Sequence, residues 1–340
     1  MEMNRRIVLR ARPQGLPRAT DFELVNSPVP EPAAGEMLVR VLYCSLDPAV
    51  RRWMDEDSYG TAIPLGGAIA CLVVGRVVRS HCEGFEAGDF VTGLGSVSDY
   101  AVMKPGGFTW KIDPAAAPSL TNHLSVLGAN GLTAYNGLLH VGKPNPGETV
   151  LVSGGAGAVG SLVGQIAKIQ GCRAVGIAGG EAKCRLMRET FGFDAAVDYK
   201  GKDLEQLTAA VREACPSGVD VYFDNVGGLP LDAALAVVNQ NARLVICGMI
   251  SRYNEAVPPP GPRNIWQLVA KTATMHGFLN RYYMAHFEEG RRHLQQWVRE
   301  GRIKWREHVD EGIENFHRSF LRLFEGSNEG KLILKIADSD

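Results

Sequence analysis

The chain has 340 residues, 36 Lys plus Arg against 37 Asp plus Glu, 45% hydrophobic and 21% charged residues, an ordinary globular balance that excludes a disordered, collagenous or nucleic-acid-coating protein. At about 100 to 200 residues per domain, this length predicts two domains, each able to bury a core of its own. A net charge of -1 gives no field to gather phosphate backbones or anionic lipid, so the expected partner is a small molecule, with no nucleic acid and no membrane.

Between Arg5 and about Ala117, residues 7–10, 37–43, 69–78, 90–94 and 100–103 are short β-rich segments separated by Pro and Gly. They predict a mainly β domain over residues 1–124. From Glu148 the pattern becomes strand and helix in alternation: strands at 149–153, 173–178, 195–197, 219–224, 243–247 and 274–278, helices at 158–170, 182–190, 204–214, 230–238 and 266–271. Six short strands with helical crossovers predict an α/β, doubly wound parallel sheet of the Rossmann type over residues 125–300. The tail, 301–340, reads as a segment returning to the first domain. A helical stretch from Met284 to Glu300 leads into it, and it holds a second at 316–324 and a strand-like 332–336. The Pro-rich 257–262 directly follows a sheet strand and reads as a loop over a site.

Cys44, Cys71, Cys82, Cys172, Cys184, Cys215 and Cys247 form an odd set without a CxxC pair, so neither a disulfide framework nor a zinc ribbon is spelled out. A reducing compartment and a soluble cytoplasmic protein are expected, since no run approaches the roughly 20 apolar residues of a membrane span.

After the strand at 149–153 come Gly155, Ala156, Gly157, Ala158, Val159 and Gly160, a GxGxxG turn opening a helix. The first Gly is expected to permit the tight turn, the second to let backbone approach a pyrophosphate, and the third to let helix pack on strand. At the end of the next strand, where an NAD site places a carboxylate, stand Ala178, Gly179 and Gly180. Lys183, Arg185, Tyr199 and Lys200 are donors suited to a 2′-phosphate, so NADP (as NADPH) is favoured. Against this stand Glu181, able to serve a ribose in a shifted turn, and the bland reading of Lys183 and Arg185 as a solvated helix face.

A β-rich domain before a nucleotide-binding domain suggests the medium-chain dehydrogenase/reductase plan, many of whose members carry catalytic zinc. Cys44 sits where the first metal thiolate would be, but Gly67 and Ala68 replace the later His-Glu pair and no four-cysteine lobe exists. One cysteine without partners is a poor zinc site, so no metal is expected and Cys44 reads as a small buried apolar residue. Metal-free chemistry of this plan is reduction of an activated carbon–carbon double bond, where charge arrives on a conjugated carbonyl and needs only hydrogen-bond donors.

Residues 43–48 (YCSLDP), 131–135 (GLTAY), 222–228 (YFDNVGG) and 247–254 (CGMISRYN) resemble the zinc-independent, NADPH-dependent double-bond reductases of that family, which include prostaglandin reductase, plant 2-alkenal reductase and, nearest in likeness, bacterial curcumin reductase. The resemblance spans residues 5–336. It implies a GroES-like β domain and cofactor contacts at Ala156, Gly157, Ala158 and Val159 for the pyrophosphate, with Lys183 and Tyr199 for the 2′-phosphate. Asn225, Cys247, Gly248, Met249, Ile250, Ser251, Arg252, Tyr253, Phe278, Leu279, Asn280 and Asn328 would line the nicotinamide half. Tyr253 would be the catalytic residue, its hydroxyl facing the substrate carbonyl; the alternatives are that it packs the proline loop or only positions the cofactor. A homodimer is implied as well. Ala49, Val97 and Asn130 depart from the family's usual Tyr, Trp and Pro, which bears on the substrate pocket; Tyr59, Trp53 or Tyr282 are left as candidate walls. The expected activity is hydride transfer to the β-carbon of an enal or enone. A quinone reductase of the same fold and a weakly catalytic NADPH-binding protein stand as alternatives. None of the eight histidines is assigned a role.

Overall fold

The elements follow from where apolar residues can be covered on one face or two. In the computed structural model, which describes residues 3–56, 60, 62–257 and 259–338, the chain divides into two compact units, residues 1–129 with 307–340 and residues 130–306.

In the first unit β1 (Met3–Leu9) and β2 (Phe22–Pro28) pair antiparallel, Leu9 opposite Phe22. They are followed by β3 (Met37–Ser45), a short helix α1 (Ala49–Trp53), β4 (Ala70–Ser80), β5 (Phe90–Ser96), β6 (Tyr100–Met103) and β7 (Trp110–Ile112). The sequence of β3, MLVRVLYCS, is apolar on both faces and almost wholly buried. That suits a central strand, and β3 pairs with β4 and β6.

The second unit is built from α2 (Ala129–Asn136), β8 (Thr149–Ser153), α3 (Gly160–Ile169), β9 (Arg173–Ala178), α4 (Glu181–Arg185), β10 (Ala195–Asp198), α5 (Leu204–Ala214), β11 (Val219–Asp224), α6 (Gly228–Leu235), β12 (Val238–Ile246), α7 (Gln267–Ala270), β13 (Thr274–Gly277) and α8 (Phe287–Arg299). Its sheet runs β10-β9-β8-β11-β12-β13, all parallel. All five residues of β8 are buried, as a central parallel strand with helices on both faces requires. Order reverses between β8 and β11, so the crevice beyond their carboxyl ends is where such a sheet takes its ligand.

The chain then re-enters the first unit through β14 (Glu307–Glu311), α9 (Phe316–Glu325) and β15 (Lys331–Lys335), with β15 antiparallel to β3 and β14 parallel to β15. Phe316 and Phe320, one turn apart on α9, stack at 5.5 Å and are at most 1% exposed in the core beneath β3. The architecture is a Rossmann sheet plus a GroES-like β domain.

Several boundaries differ from the sequence reading. Helix α3 starts at Gly160 rather than 158, because 154–159 are used by the turn. Helix α6 ends at Leu235 and β12 begins at Val238; a register shift against β11 and a left-handed Asn241 (φ 60°) let the strand start three residues beyond the helix. Helix α4 stops at Arg185 and continues to Thr190 only as a wider π-type turn. Strands β2, β7 and β14 were not anticipated. Tyr59 and Pro258 lie outside the described residues.

Candidate active site

The buried β8 delivers Ser153 to the switch point, and the chain turns there at Gly154, whose φ of 61° is open to glycine. The tight turn therefore belongs to Gly154 and not, as the motif reading had it, to Gly155. Gly155 is demanded by close packing instead: a Cβ there would lie 2.6 Å from Met187 Sδ and 3.1 Å from Gly176 Cα of β9. A Cβ on Gly160 would fall 2.2 Å from the Gly154 oxygen, whereas one on Gly157 would meet only that oxygen, at 3.2 Å. Gly157 thus leaves backbone open to a ligand, beside a buried Ala156 and half-buried Ala158 and Val159, at the start of α3.

One crossover further, Gly179 lies under the Tyr199 ring and the Lys200 stem, each 3.1 Å from where its Cβ would be. Asp198 ties this corner together, accepting from Gly180 N at 2.7 Å and Lys200 N at 2.9 Å. Burial works against the charge, but these two N–H donors hold the Asp198 carboxyl below its usual range. Glu181 is paired with Arg188 at 2.6 Å, so the carboxylate that could have argued for a ribose contact is engaged elsewhere. Lys183 N donates to Gly180 O at 3.1 Å one turn into α4, and Lys183, Tyr199 and Lys200 are donors with the chemistry a 2′-phosphate needs.

At the other side of the switch point the fully buried Asp224 is the organiser. Its Oδ1 accepts from Ser153 Oγ (2.7 Å), Tyr222 Oη (2.9 Å), Val226 N (3.0 Å) and Gly227 N (2.9 Å). Desolvation still pushes its pKa up. Its main-chain oxygen accepts from Cys247 N (2.9 Å) and Gly248 N (3.0 Å), which fastens the end of β12 to the end of β11. Asn225 is clamped to Ser153 by two bonds of 2.8 Å. Ile250 N donates to Asn225 O at 3.3 Å, and Ser251 donates to Val226 O through its N (3.1 Å) and Oγ (2.6 Å). Arg252 pairs with Glu255 at 3.0 Å. The Tyr253 hydroxyl accepts from Met249 N at 3.2 Å, folding the phenol back over Gly248, whose Cβ would lie 3.2 Å from it. Burial and the charge of Asp224 push the Cys247 thiol up to about 12, so it is protonated at neutral pH and no nucleophile.

Asn225 and Cys247 through Tyr253 are thus brought together. Phe278 is 3% exposed, its ring 5.1 Å from that of Tyr283, next to half-buried Leu279. Asn280 Oδ1 accepts from Asn136 Nδ2 at 2.8 Å, while its own Nδ2 is buried without a partner. A buried unpaired donor is costly, and it fits the carboxamide or ribose of a nicotinamide half. Asn328 belongs to the other unit, in the turn between α9 and β15, its Nδ2 donating to Gly330 O at 3.0 Å. Sequence reasoning missed Ser153, Asp198 and Asp224; the one available signal was a polar residue ending an otherwise apolar strand, as in AAVD. In the first unit Val97 is fully buried in the core and Ala49 begins α1 half-buried, while Tyr282, in the second unit, is 73% exposed.

The donor set around Cys44 does not fit catalytic zinc. Cys44 is buried with its thiol toward the Ser96 carbonyl at 3.7 Å. The Asp47 carboxylate is taken by Ser45 and by the buried Lys331 ammonium at 2.7 Å, so a fixed cation already stands where a metal would need negative ligands.

A β10-β9-β8-β11-β12-β13 parallel sheet with a glycine cradle at its switch point and basic residues beyond β9 defines an NADP-dependent dehydrogenase or reductase. Comparison with known proteins refines this. The family described as the N-terminal domain of oxidoreductase matches residues 5–111, and that described as zinc-binding dehydrogenase matches residues 158–295. A putative NADP-dependent oxidoreductase of Bacillus subtilis is 44% identical, over 98% of this chain and 97% of its own. The NADPH-dependent curcumin reductase of Escherichia coli is 40% identical over 100% and 99%. Among solved structures, CurA from Vibrio vulnificus in complex with NADPH superposes with a TM-score of 0.91 at 39% identity, covering 98% of this chain and 99% of that one. The chain belongs to the zinc-independent, NADP-dependent oxidoreductases of the medium-chain dehydrogenase/reductase family.

Proposed function

We propose that this protein uses NADPH to reduce the α,β-carbon–carbon double bond of enals, enones and related conjugated carbonyls, with Tyr253 as the catalytic residue. The observation that carries this reading is the Tyr253 hydroxyl held by Met249 N at 3.2 Å in a loop laced to Asn225 at the sheet's switch point. When bound, NADPH supplies a hydride to the β-carbon. The protein's own residues bind and orient: the 154–160 turn and the N-terminus of α3 take the pyrophosphate. Lys183 and Tyr199, with Lys200, hold the 2′-phosphate. Asn225, the segment 247–253 and the unpaired Asn280 amide fix the nicotinamide half, and the resemblance alone assigns Asn328 to the same set. As charge gathers on the substrate carbonyl oxygen, the Tyr253 hydroxyl donates a hydrogen bond to it, and the α-carbon takes a proton from solvent.

The test is loss of NADPH absorbance with 2-alkenals, enones and quinones, NADH in parallel and a chelator in one series. Turnover of enals or enones that is specific for NADPH and indifferent to chelator supports the reading. Turnover of quinones alone makes the protein a quinone reductase, and tight NADPH binding with no turnover leaves a binding protein.

The working form we propose is a homodimer in the cytoplasm. β13 is a sheet edge, flanked by Trp266 (68% exposed), Val269 (63%) and Tyr282 (73%), and an edge strand with large apolar neighbours invites pairing with a second copy. All seven cysteines are free thiols, in keeping with a reducing compartment, and no helix among the described residues is long and apolar enough to cross a membrane.

A further inference from the structure

After α2 the chain widens into a π-type turn, Gly137–Gly142, that passes the Phe223 ring at a point where even a Cβ on Gly137 would lie 2.7 Å from the ring. This close pass carries His140 to the start of α8. There His286 and Glu289, three residues apart, share one helix face, with His286 Nδ1 3.9 Å from Glu289 Oε2. The His140 and His286 rings stack at 3.9 Å and 22°. One ligand atom from each of His140, His286 and Glu289 lies within 4.8 Å of the other two, the only such group among the described residues. His140 Nε2 is buried and has no hydrogen-bond partner, although neighbouring polar groups here are paired, Tyr135 Oη with His293 Nδ1 at 2.7 Å. A lone imidazole nitrogen withdrawn from water beside a second imidazole and a carboxylate is an incomplete arrangement as it stands.

We propose that His140, His286 and Glu289 form a binding site for one divalent transition-metal cation of the zinc class, with water as the fourth ligand. Two imidazole nitrogens and a carboxylate oxygen are borderline donors that suit Zn²⁺, Co²⁺ or Ni²⁺ and leave Mg²⁺ and Ca²⁺ unfavoured. Tetrahedral zinc holds its ligand atoms about 3.3 Å apart, so the three must close by up to about 1.5 Å. The side chains that move are the exposed Glu289 and half-buried His286, which rotate without disturbing the core. The site shares no residue with the glycine turn and does not depend on the reductase reading. A cation there would tie the 137–142 turn to the start of α8. Asn136, which immediately precedes that turn, already donates to Asn280, which opens the 280–286 turn leading into α8, so the metal would also restrain Asn280.

The test uses the full chain stripped with a chelator, titrated with Co²⁺ by visible absorption and with Zn²⁺ by calorimetry, with melting temperature read in both states. One equivalent with a nitrogen–oxygen cobalt spectrum is expected, together with a higher melting temperature on zinc addition. His140→Ala and His286→Gln are each expected to weaken binding more than about tenfold, Glu289→Gln also measurably, and His81→Ala not at all. His286 lies at a helix start with its ring partly in solvent, so His286→Gln carries the test even if His140→Ala fails to fold. No binding, unchanged affinity in His286→Gln, or a thiolate-to-cobalt charge-transfer band marking cysteine ligation would each overturn the proposal.

Discussion

At Tyr253 the phenol oxygen accepts from the Met249 amide, so Tyr253→Phe removes one hydroxyl and leaves the loop's other ties to Val226 and Asn225 in place. We expect kcat for an enone to fall by about a hundredfold, while the Kd for NADPH from fluorescence titration changes little; an equal loss in both would make Tyr253 a cofactor-positioning residue. Lys183→Ala is expected to raise KM for NADPH by about tenfold and leave NADH kinetics unchanged, since only the 2′-phosphate distinguishes the two. Asp198 makes a pH prediction. Its carboxyl is held below the unfolded value, so its contribution to stability is present above the unfolded carboxylate range and is lost as pH falls through the folded pKa. Asp198→Asn should therefore destabilise the protein at neutral pH by about 1 kcal/mol or less for this half-exposed group. In urea melts the gap from wild type should close on acidification. The glycine motif and the missing strand-end acid were legible as sequence because each is a local pattern. The bonds that tie Asp224 to Ser153, Cys247 and Gly248, and Asp198 to Gly180, were not, because those partners end or follow other strands.

Among elements, those with continuous apolar runs were readable before folding. β8, β9 and β11 are bounded in the structure as the pattern placed them, since a strand covered on both faces has no alternative burial. β14 was not, because EHVDE carries three acidic residues in five and exists as a strand only through its register with β15. Its anchor is Asp310, which accepts from Ser319 Oγ at 2.6 Å and Arg322 Nε at 3.0 Å on α9. The α3 start makes an element-scale prediction. Gly160→Ala puts a methyl 2.2 Å from the Gly154 oxygen and must push helix from turn, which we expect to cost about 1–3 kcal/mol in urea unfolding. NADPH affinity should fall with it, whereas Gly157→Ala, with only one contact at 3.2 Å, should keep its stability and lose affinity alone.

For the whole molecule, the open edge of β13 predicts that Trp266→Glu with Val269→Asp shifts a dimer to monomer in light scattering with secondary structure retained, and a wild-type monomer at micromolar concentration would remove the assembly from consideration. Length, charge balance and the change from β-rich to alternating pattern by themselves determined a two-part α/β plan with a dinucleotide turn and a preference for the 2′-phosphate, because these are written in contiguous residues and in periodicities of two and 3.6. Tertiary structure alone decided which residues meet: the tail's β15 beside β3, Lys331 against Asp47, the Asp224 hub at the switch point, and His140 stacked on His286 across 146 positions of sequence. The reason is physical. Contacts between segments distant in the chain depend on sheet order and helix packing, which many sequences share, whereas turn chemistry and burial pattern act within a few residues and leave their mark on the sequence itself.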